Sequence, residues 1–384
     1  MTVSKIMSLI DDKNLKPLGE KFKVDKRNTK ITGEFVLKSF VRSSLLQRPI
    51  SLRSMETLCN NTPSLNKLLK TKSENKASID HSSLGKCLNR VTPDYFEAIY
   101  NNIVETASKM LPKSSNVTVH RFDSTITALA GKMIKDGINA GGSGGENQVK
   151  LTVGLRGSLP TSVRFCVGQS EVSEDIALVK AINQARLSDT DVILFDRGIS
   201  KASTYQDFTN KGVKFVTRMK QNRKYNVKEA RSVDDLKIDH LNIISDETIT
   251  LYDRSGKEIP HNLRLIKAIN SSDNEMLFLT NLHDFSVEDV TELYKKRWDI
   301  EVFFKFIKQH LGFKHFISHS LNGMKIYMYC LLIAAILFTL FKEIEKKSGF
   351  KIALLEFTLL LEKSMVRDIV LLAGGDLTLV EGRV

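Results

Sequence analysis

The sequence predicts an α/β core that is interrupted by a strand-rich insertion and flanked by helical regions. Three observations predict it. Residues 1–112 read as short amphipathic helices separated by breakers. From about residue 116 the chain becomes β-branched and runs through three strands, a helix, a strand, a helix and a strand. Residues 221–284 then read as strands, and from 285 the chain is helical to about residue 365. The 384 residues suffice for two or three domains.

In the N-terminal region, "SLRSMETLCNN", "TPSLNKLLK" and "HSSLGKCLNRVTPDYFEAIYNNIVETASKML" are the helical stretches, with Ser54 and Thr62 as expected N-caps. The formal charge of the whole chain is +13, and residues 1–115 hold 20 Lys and Arg against 11 Asp and Glu. Such a balance suits a polyanionic partner, either nucleic acid or an anionic membrane surface, or simply a basic soluble protein. Short helices with tight turns and excess positive charge suggest a helix-turn-helix-like DNA-binding module, against the alternative of a small bundle with a solvated basic face.

In the core, "NVTVHRFDSTITAL" is the first strand. "INAGGSGGENQ" reads as a glycine-rich loop, and "VKLTVGLRG" and "TSVRFCVG" as a hairpin. "SEDIALVKAINQARL" is an amphipathic helix. "DVILFDRG" carries a four-residue apolar run, as expected of a central strand covered on both faces. "KASTYQDFTNKG" gives a helix ended by Gly212, and "VKFVTRMK" another strand. In the insertion, "DRSGKE" marks a hairpin turn.

Several function classes are disfavoured early. Cys59, Cys87, Cys166 and Cys330 form no CxxC pair, which argues against a zinc knuckle or disulfide framework and suits a reducing cytoplasm. The N-terminal segment has early acids and no apolar h-region, so no signal peptide is expected. The longest apolar run, residues 326–341, is shorter than the roughly 20 residues of a membrane span, and a buried helix at a domain or dimer interface is expected instead.

Three carboxylates carry the candidate chemistry. Asp123 lies in the first strand, Asp196 ends the apolar strand "VILF", and Glu301 sits in the helical segment "YKKRWDIEVFFKFIKQHL", residues 294–311. Carboxyl ends of strands in open α/β sheets are where sites form. Convergent carboxylates suit hard divalent cations, and two such cations can hold the in-line geometry of phosphodiester transfer. On one continuous helix at about 100° per residue, Tyr294, Arg297, Glu301, Lys305 and Lys308 share an arc of about 80°, and Asp299 falls outside it. The plain alternative is an amphipathic helix with i,i+4 ion pairs. Trp298 lies beside the arc, suited either to stack on a base or to anchor against the insertion.

The spacing of Tyr294, Arg297, Glu301 and Lys308 resembles the Y-(2)-R-(3)-E-(6)-K signature of bacterial insertion-sequence DDE transposases of the insertion-sequence-four type. "FDST" and "FDRG" resemble the two aspartate blocks of that family, and "FVTRMK" and "LFLTNL" accompany them; Ile199 departs from the aromatic that relatives often carry after the DRG turn. The resemblance implies a ribonuclease-H-like catalytic core with a β-rich insertion. Its expected organisation is a DNA-binding region (1–112), the first part of the core (113–220), the insertion (221–284), the Glu301 helix (285–318) and a C-terminal helical region suited to dimerisation (319–384).

The resemblance also implies metal coordination by Asp123, Asp196 and Glu301, with two Mg²⁺ ions and Mn²⁺ as a substitute. Tyr294, Arg297 and Lys308 would hold phosphates of the transposon end, with Lys305 and Trp298 as further expected DNA contacts. The implied activity is cleavage at the inverted-repeat ends and strand transfer of the 3′-hydroxyl into target DNA, with an end hairpin as a compatible intermediate. The implied partners are double-stranded DNA and a second copy of the chain, with no membrane, in the cytoplasm of a bacterium and at its nucleoid when bound to DNA. A ribonuclease-H-like nuclease without strand transfer, and an inactive DNA-binding relative, are the competing expectations.

Overall fold

Buried backbone must pair its N–H and C=O groups, and here nearly all of the β-branched segments do so in one sheet. The computed structural model describes residues 3–25, 30–48, 50–66, 68–69, 78–112, 117–128, 138–140, 146–233, 236–313, 318 and 320–377. They form two compact units.

The first unit is helical. It contains α1 (Val3–Met7), α2 (Asp12–Lys21), α3 (Gly33–Leu45), α4 (Leu52–Asn61), α5 (Pro63–Asn66), α6 (His81–Arg90) and α7 (Pro93–Met110). The second holds β1 (Val119–Ala128), β2 (Ile138–Ala140), β3 (Glu146–Arg156), β4 (Leu159–Cys166), α8 (Glu174–Gln184), β5 (Val192–Phe195), α9 (Ala202–Asn210) and β6 (Lys214–Arg218). It continues with β7 (Tyr225–Arg231), β8 (Lys237–Ile238), β9 (Leu241–Leu251), β10 (Leu263–Asn270), β11 (Glu275–Thr280) and α10 (Val287–Lys295). Helix α11 (Trp298–His310) follows, with the division between units falling at Phe303 and Phe304; α12 (Leu321–Ile344) and α13 (Lys351–Leu372) return to the first unit. N-terminal and C-terminal helices, read from sequence as separate regions, thus share one unit.

The apolar run predicted to be a buried helix lies in α12, 94% of whose most apolar stretch is buried. This helix has the length and composition of a membrane span, but α3, α6 and α7 pack against it. Tyr327 and Tyr329 meet the rings of Phe40 and Tyr100, and the Tyr327 hydroxyl donates to the Gly312 carbonyl at 2.8 Å. One cap differs from expectation: Ser51, not Ser54, is the N-cap of α4. The two serines form a reciprocal capping box in which Ser54 occupies the third helical position.

In the second unit the strand order is β2-β3-β1-β5-β6-β11-β10-β9-β7, with β4 paired to β3 and β8 to β9. β3 runs antiparallel to β1 and β4 antiparallel to β3, while β5 and β6 run parallel to β1. That is the ribonuclease-H-like arrangement. The insertion joins the same sheet, because β11 pairs antiparallel with β6. The segment 138–148, expected as a loop, contains β2 and the start of β3. Ile138–Ala140 pairs with Glu146–Gln148, since backbone pairing needs no apolar side chains; residues 141–145 lie outside the described residues.

Strand β5 shows why both faces are covered. Ile193 and Phe195 pack with α8 and α9, while Val192 and Leu194 pack with α10. In the insertion, buried Arg264 on β10 grips Asp246 on β9 through two bonds of 2.8 Å, and it also donates to the Leu282 and Phe285 carbonyls ahead of α10. Asp246→Ala would leave this guanidinium without its counter-charge. The expected cost is about 3 kcal/mol, read as a lower midpoint in urea unfolding.

Candidate active site

Asp123 sits on β1 and Asp196 immediately follows β5, its parallel neighbour. Arg121 pairs with Leu194 across these strands. Asp123 and Asp196 each lie two residues beyond that pair, close enough for the Asp196 charge to act on Asp123. The carboxyl of Asp123 is pushed up to about 6, first by burial and then by the charges of Glu174 and Asp196. The Ser124 N–H, 2.7 Å from Asp123 Oδ1, and the Arg297 charge act against that rise.

The third carboxylate arrives differently from the sequence expectation. Residues 294–311 do not form one helix. α10 ends at Lys295, Lys296 and Arg297 form a turn, and α11 begins at Trp298. The physical cause is a side chain from β1. Buried Arg121 donates from Nε to the Lys296 carbonyl at 2.6 Å, from Nη1 to the Gly157 carbonyl at 2.8 Å, and pairs through Nη2 with Asp299 at 2.8 Å. In a continuous helix the Lys296 carbonyl would accept from Ile300. Here Ile300 N–H donates to Arg297 at 3.2 Å, and Arg297 N–H donates to Tyr294 at 2.9 Å, the tighter i→i−3 spacing. The expected continuous arc is therefore broken between Tyr294 and Glu301. Asp299, set outside that arc by sequence, is the ion-pair partner of Arg121.

Tyr294 is buried, with its ring against Phe278 at 5.3 Å and its hydroxyl 3.4 Å from Asp196 Oδ1. Burial raises its phenol to about 12, so it stays a hydrogen-bond donor at neutral pH. Arg297 lies over the Tyr294 ring and holds Glu301 Oε1 at 2.6 Å. Each carboxylate is thus met by a donor: Ser124 for Asp123, Tyr294 for Asp196, and Arg297 for Glu301. Among the described residues, no three His, Cys, Asp or Glu side chains form a group that could hold a metal ion. Trp298, 61% exposed, borders a cavity of about 390 Å³ together with Tyr294, Arg297, Arg218 and the insertion residues Leu241 and Met276. The Nε atoms of Arg218 and Arg297 are buried there without a hydrogen-bond partner. Lys305 is exposed and Lys308 half-buried on α11, beyond the division between units.

Sequence reasoning missed the start of α8. Glu174 accepts from Ser124 Oγ at 3.0 Å and pairs with almost fully buried Lys150 at 2.9 Å. The next residue, Asp175, accepts from the N–H groups of Ser200 and Lys201 and from the Ser200 hydroxyl, at 2.6–2.9 Å. This fixes the loop after Asp196. A Cβ on Gly198 would stand 2.9 Å from Glu174 Cβ and Cγ, so the glycine of "DRG" is required by close approach. Ile199, the departure from the family pattern, is buried in the core, where its carbonyl accepts from the Tyr205 hydroxyl at 2.7 Å. The available signal was the acid pair "ED" at a helix start, which a sequence reading attributes to the helix dipole.

Because the Asp123 carboxyl lies at about 6 in the fold and ordinarily near 3.8, folding binds a proton between those pH values. The destabilisation is absent below about pH 4 and complete above about pH 6. Asp123→Asn is expected to raise stability by about 2 kcal/mol at pH 7.5 and to change little at pH 4, measured as the shift in unfolding midpoint at the two pH values without divalent cations.

Comparison with known proteins follows the same lines. The transposase DDE domain family matches residues 114–337. A putative transposase of Sinorhizobium fredii is 27% identical over 159 residues, 40% of this chain and 45% of the relative. A probable transposase for an insertion sequence element of Geobacillus stearothermophilus is 24% identical over 167 residues, 43% of this chain and 44% of the relative. A putative insertion-sequence transposase of Synechocystis is 23% identical over 278 residues, 71% of this chain and 74% of the relative. The chain therefore spans less than half the length of the first two. Among solved structures, the piggyBac transposase synaptic complex with hairpin DNA aligns over 96% of this chain and 82% of its own, with a TM-score of 0.52 and 8% identity, a likeness of fold.

Proposed function

This chain belongs to the transposase DDE domain family, and on that premise we propose that it cleaves phosphodiesters at the ends of an insertion sequence and transfers the 3′-hydroxyl into target DNA. The observation that carries the reading is the position of Asp123 on β1 and of Asp196 just after β5, its parallel neighbour, with Tyr294 beside Asp196 and Arg297 between Tyr294 and Glu301. The donor types suit a divalent cation: all are carboxylate oxygens, and the half-buried Asp123 is poorly stabilised as an anion, a penalty that a cation offsets, although Glu301 is turned to Arg297 and the three are not gathered into one ligand group among the described residues. Asp123, Asp196 and Glu301 would hold the metal, Mg²⁺ with Mn²⁺ as its substitute, which when bound stabilises charge on the attacking and leaving oxygens.

The chain's own residues position DNA. Tyr294 keeps its proton and donates, so it can hold an oxygen without adding negative charge. Arg297 turns from Glu301 toward a phosphate, and the free Nε atoms of Arg297 and Arg218 supply further donors. Trp298 presents its exposed indole to a base or sugar, and Lys305 and Lys308 serve as further DNA contacts. The basic N-terminal helices supply additional electrostatic affinity for double-stranded DNA, in the cytoplasm where the four thiols stay reduced.

Single changes of Asp123, Asp196 or Glu301 to Ala are expected to abolish strand cleavage while binding of end DNA survives. Cleavage retained by any of the three would remove that residue from the site. Joining of pre-cleaved ends to target DNA separates a transposase from a plain nuclease. Arg297→Ala and Lys308→Ala are each expected to weaken end binding and to reduce the slope of log affinity against log salt by about one. An unchanged slope in both variants would assign them to structure alone.

A further inference from the structure

The guanidinium of Arg297 is a counter-charge that the three carboxylates share. Its side chain is only 12% exposed and carries a full charge, so it must find acceptors. It takes Glu301 Oε1 at 2.6 Å, a short charge-assisted bond, and it lies over the ring of Tyr294, whose hydroxyl reaches Asp196. Charge interactions also link it to Asp123 and to Asp196. The Glu301 side chain is 36% exposed, so solvent reaches the pair. The guanidinium fork is not saturated: Nη2 is spent on Glu301, while the buried Nε has no acceptor. A phosphate can take Nε and Nη2 together, whereas Glu301 engages the fork through one oxygen.

We infer that Arg297 gates Glu301: in the free chain it holds Glu301 away from the other two carboxylates, and a DNA phosphate that takes over the guanidinium releases Glu301 to join them at the metal. Glu301 is the gated ligand because of what each carboxylate meets. Asp123 meets a backbone N–H and Asp196 a phenol, whereas Glu301 faces a full positive charge. A dication and a guanidinium compete for the same oxygen. The ungathered carboxylates are then the DNA-free state of the site, and the metal is held firmly only where a substrate phosphate is present. This inference rests on the reading of Asp123, Asp196 and Glu301 as metal ligands. It makes Arg297 a positioning residue that acts through Glu301, in addition to its contact with phosphate.

The test measures Mn²⁺ binding by the full chain rather than activity. Calorimetric titration with Mn²⁺ alone is expected to give about tenfold tighter binding for Arg297→Ala than for the wild type. Arg297→Met, which keeps an apolar stem over the Tyr294 ring, should behave alike and guards against a folding defect. Glu301→Gln decides whether the gain runs through that carboxylate. It should change affinity by less than about twofold in the wild-type background and remove the gain in the Arg297→Ala background. Equal losses in both backgrounds would mean that Glu301 already binds the metal and would overturn the gate, as would wild-type affinity in both Arg297 variants. A short blunt DNA duplex, corrected for Mn²⁺ bound to DNA alone, should raise wild-type affinity toward the Arg297→Ala value. A wild-type affinity that DNA does not move would overturn release by phosphate. Asp123→Asn should abolish Mn²⁺ binding in either background. Binding that survives it would overturn the ligand reading itself, separately from the gate.

Discussion

One buried guanidinium organises the sheet-containing unit. Arg121 ties β1, the β3–β4 turn at Gly157 and the turn between α10 and α11 to a single point. Its charge is kept in the interior because three acceptors surround it, as buried charges require. By occupying the Lys296 carbonyl it breaks what periodicity alone would make one helix. That break lets Arg297 lie over Tyr294 and reach Glu301, while Asp123, two residues along β1 and on the same side of the strand, faces the same region. Arg121 thus ties the strand that carries Asp123 to the turn ahead of Glu301, two segments widely spaced in sequence.

The opposite side of the sheet has its own anchor. The first two residues of α8 divide the work: Glu174 contacts the residue after Asp123, and Asp175 captures the loop after Asp196. Gly198 is shaped to Glu174 and Ile199 fills the core beneath. The two aspartates are therefore held from behind by backbone and side-chain bonds that do not involve their own carboxylates, apart from the Ser124 N–H. Such rigid support is what precise positioning of reacting groups demands.

Much of this was legible in the sequence, and the rest was hidden for physical reasons. β5 was plain because "VILF" is buried on both faces, and α8, α9 and the insertion strands followed from periodicity and turn residues. Asp196 drew notice because it follows β5, whereas Asp123 lies within β1 and Glu301 within α11, and family spacing rather than position in an element singled them out. The helix break was invisible, since its cause lies about 175 residues away in Arg121. Glu174 was hidden because an acid at a helix N-terminus has an ordinary local explanation. β2 was missed because glycine-rich flanks suppress the alternation that marks a strand.

The pairing of β6 with β11 has a consequence for how the protein is made. β6 is complete at Arg218, but the strand that covers its outer edge begins only at Glu275, roughly sixty positions later. A ribosome adding about 5–20 residues per second leaves that edge bare for several seconds. During that interval the newborn core carries an open row of backbone donors and acceptors, the feature that invites mispairing with other chains. The insertion that extends the sheet is thus also its late-arriving cover. Nascent chains stalled between β6 and β11 would display that open edge.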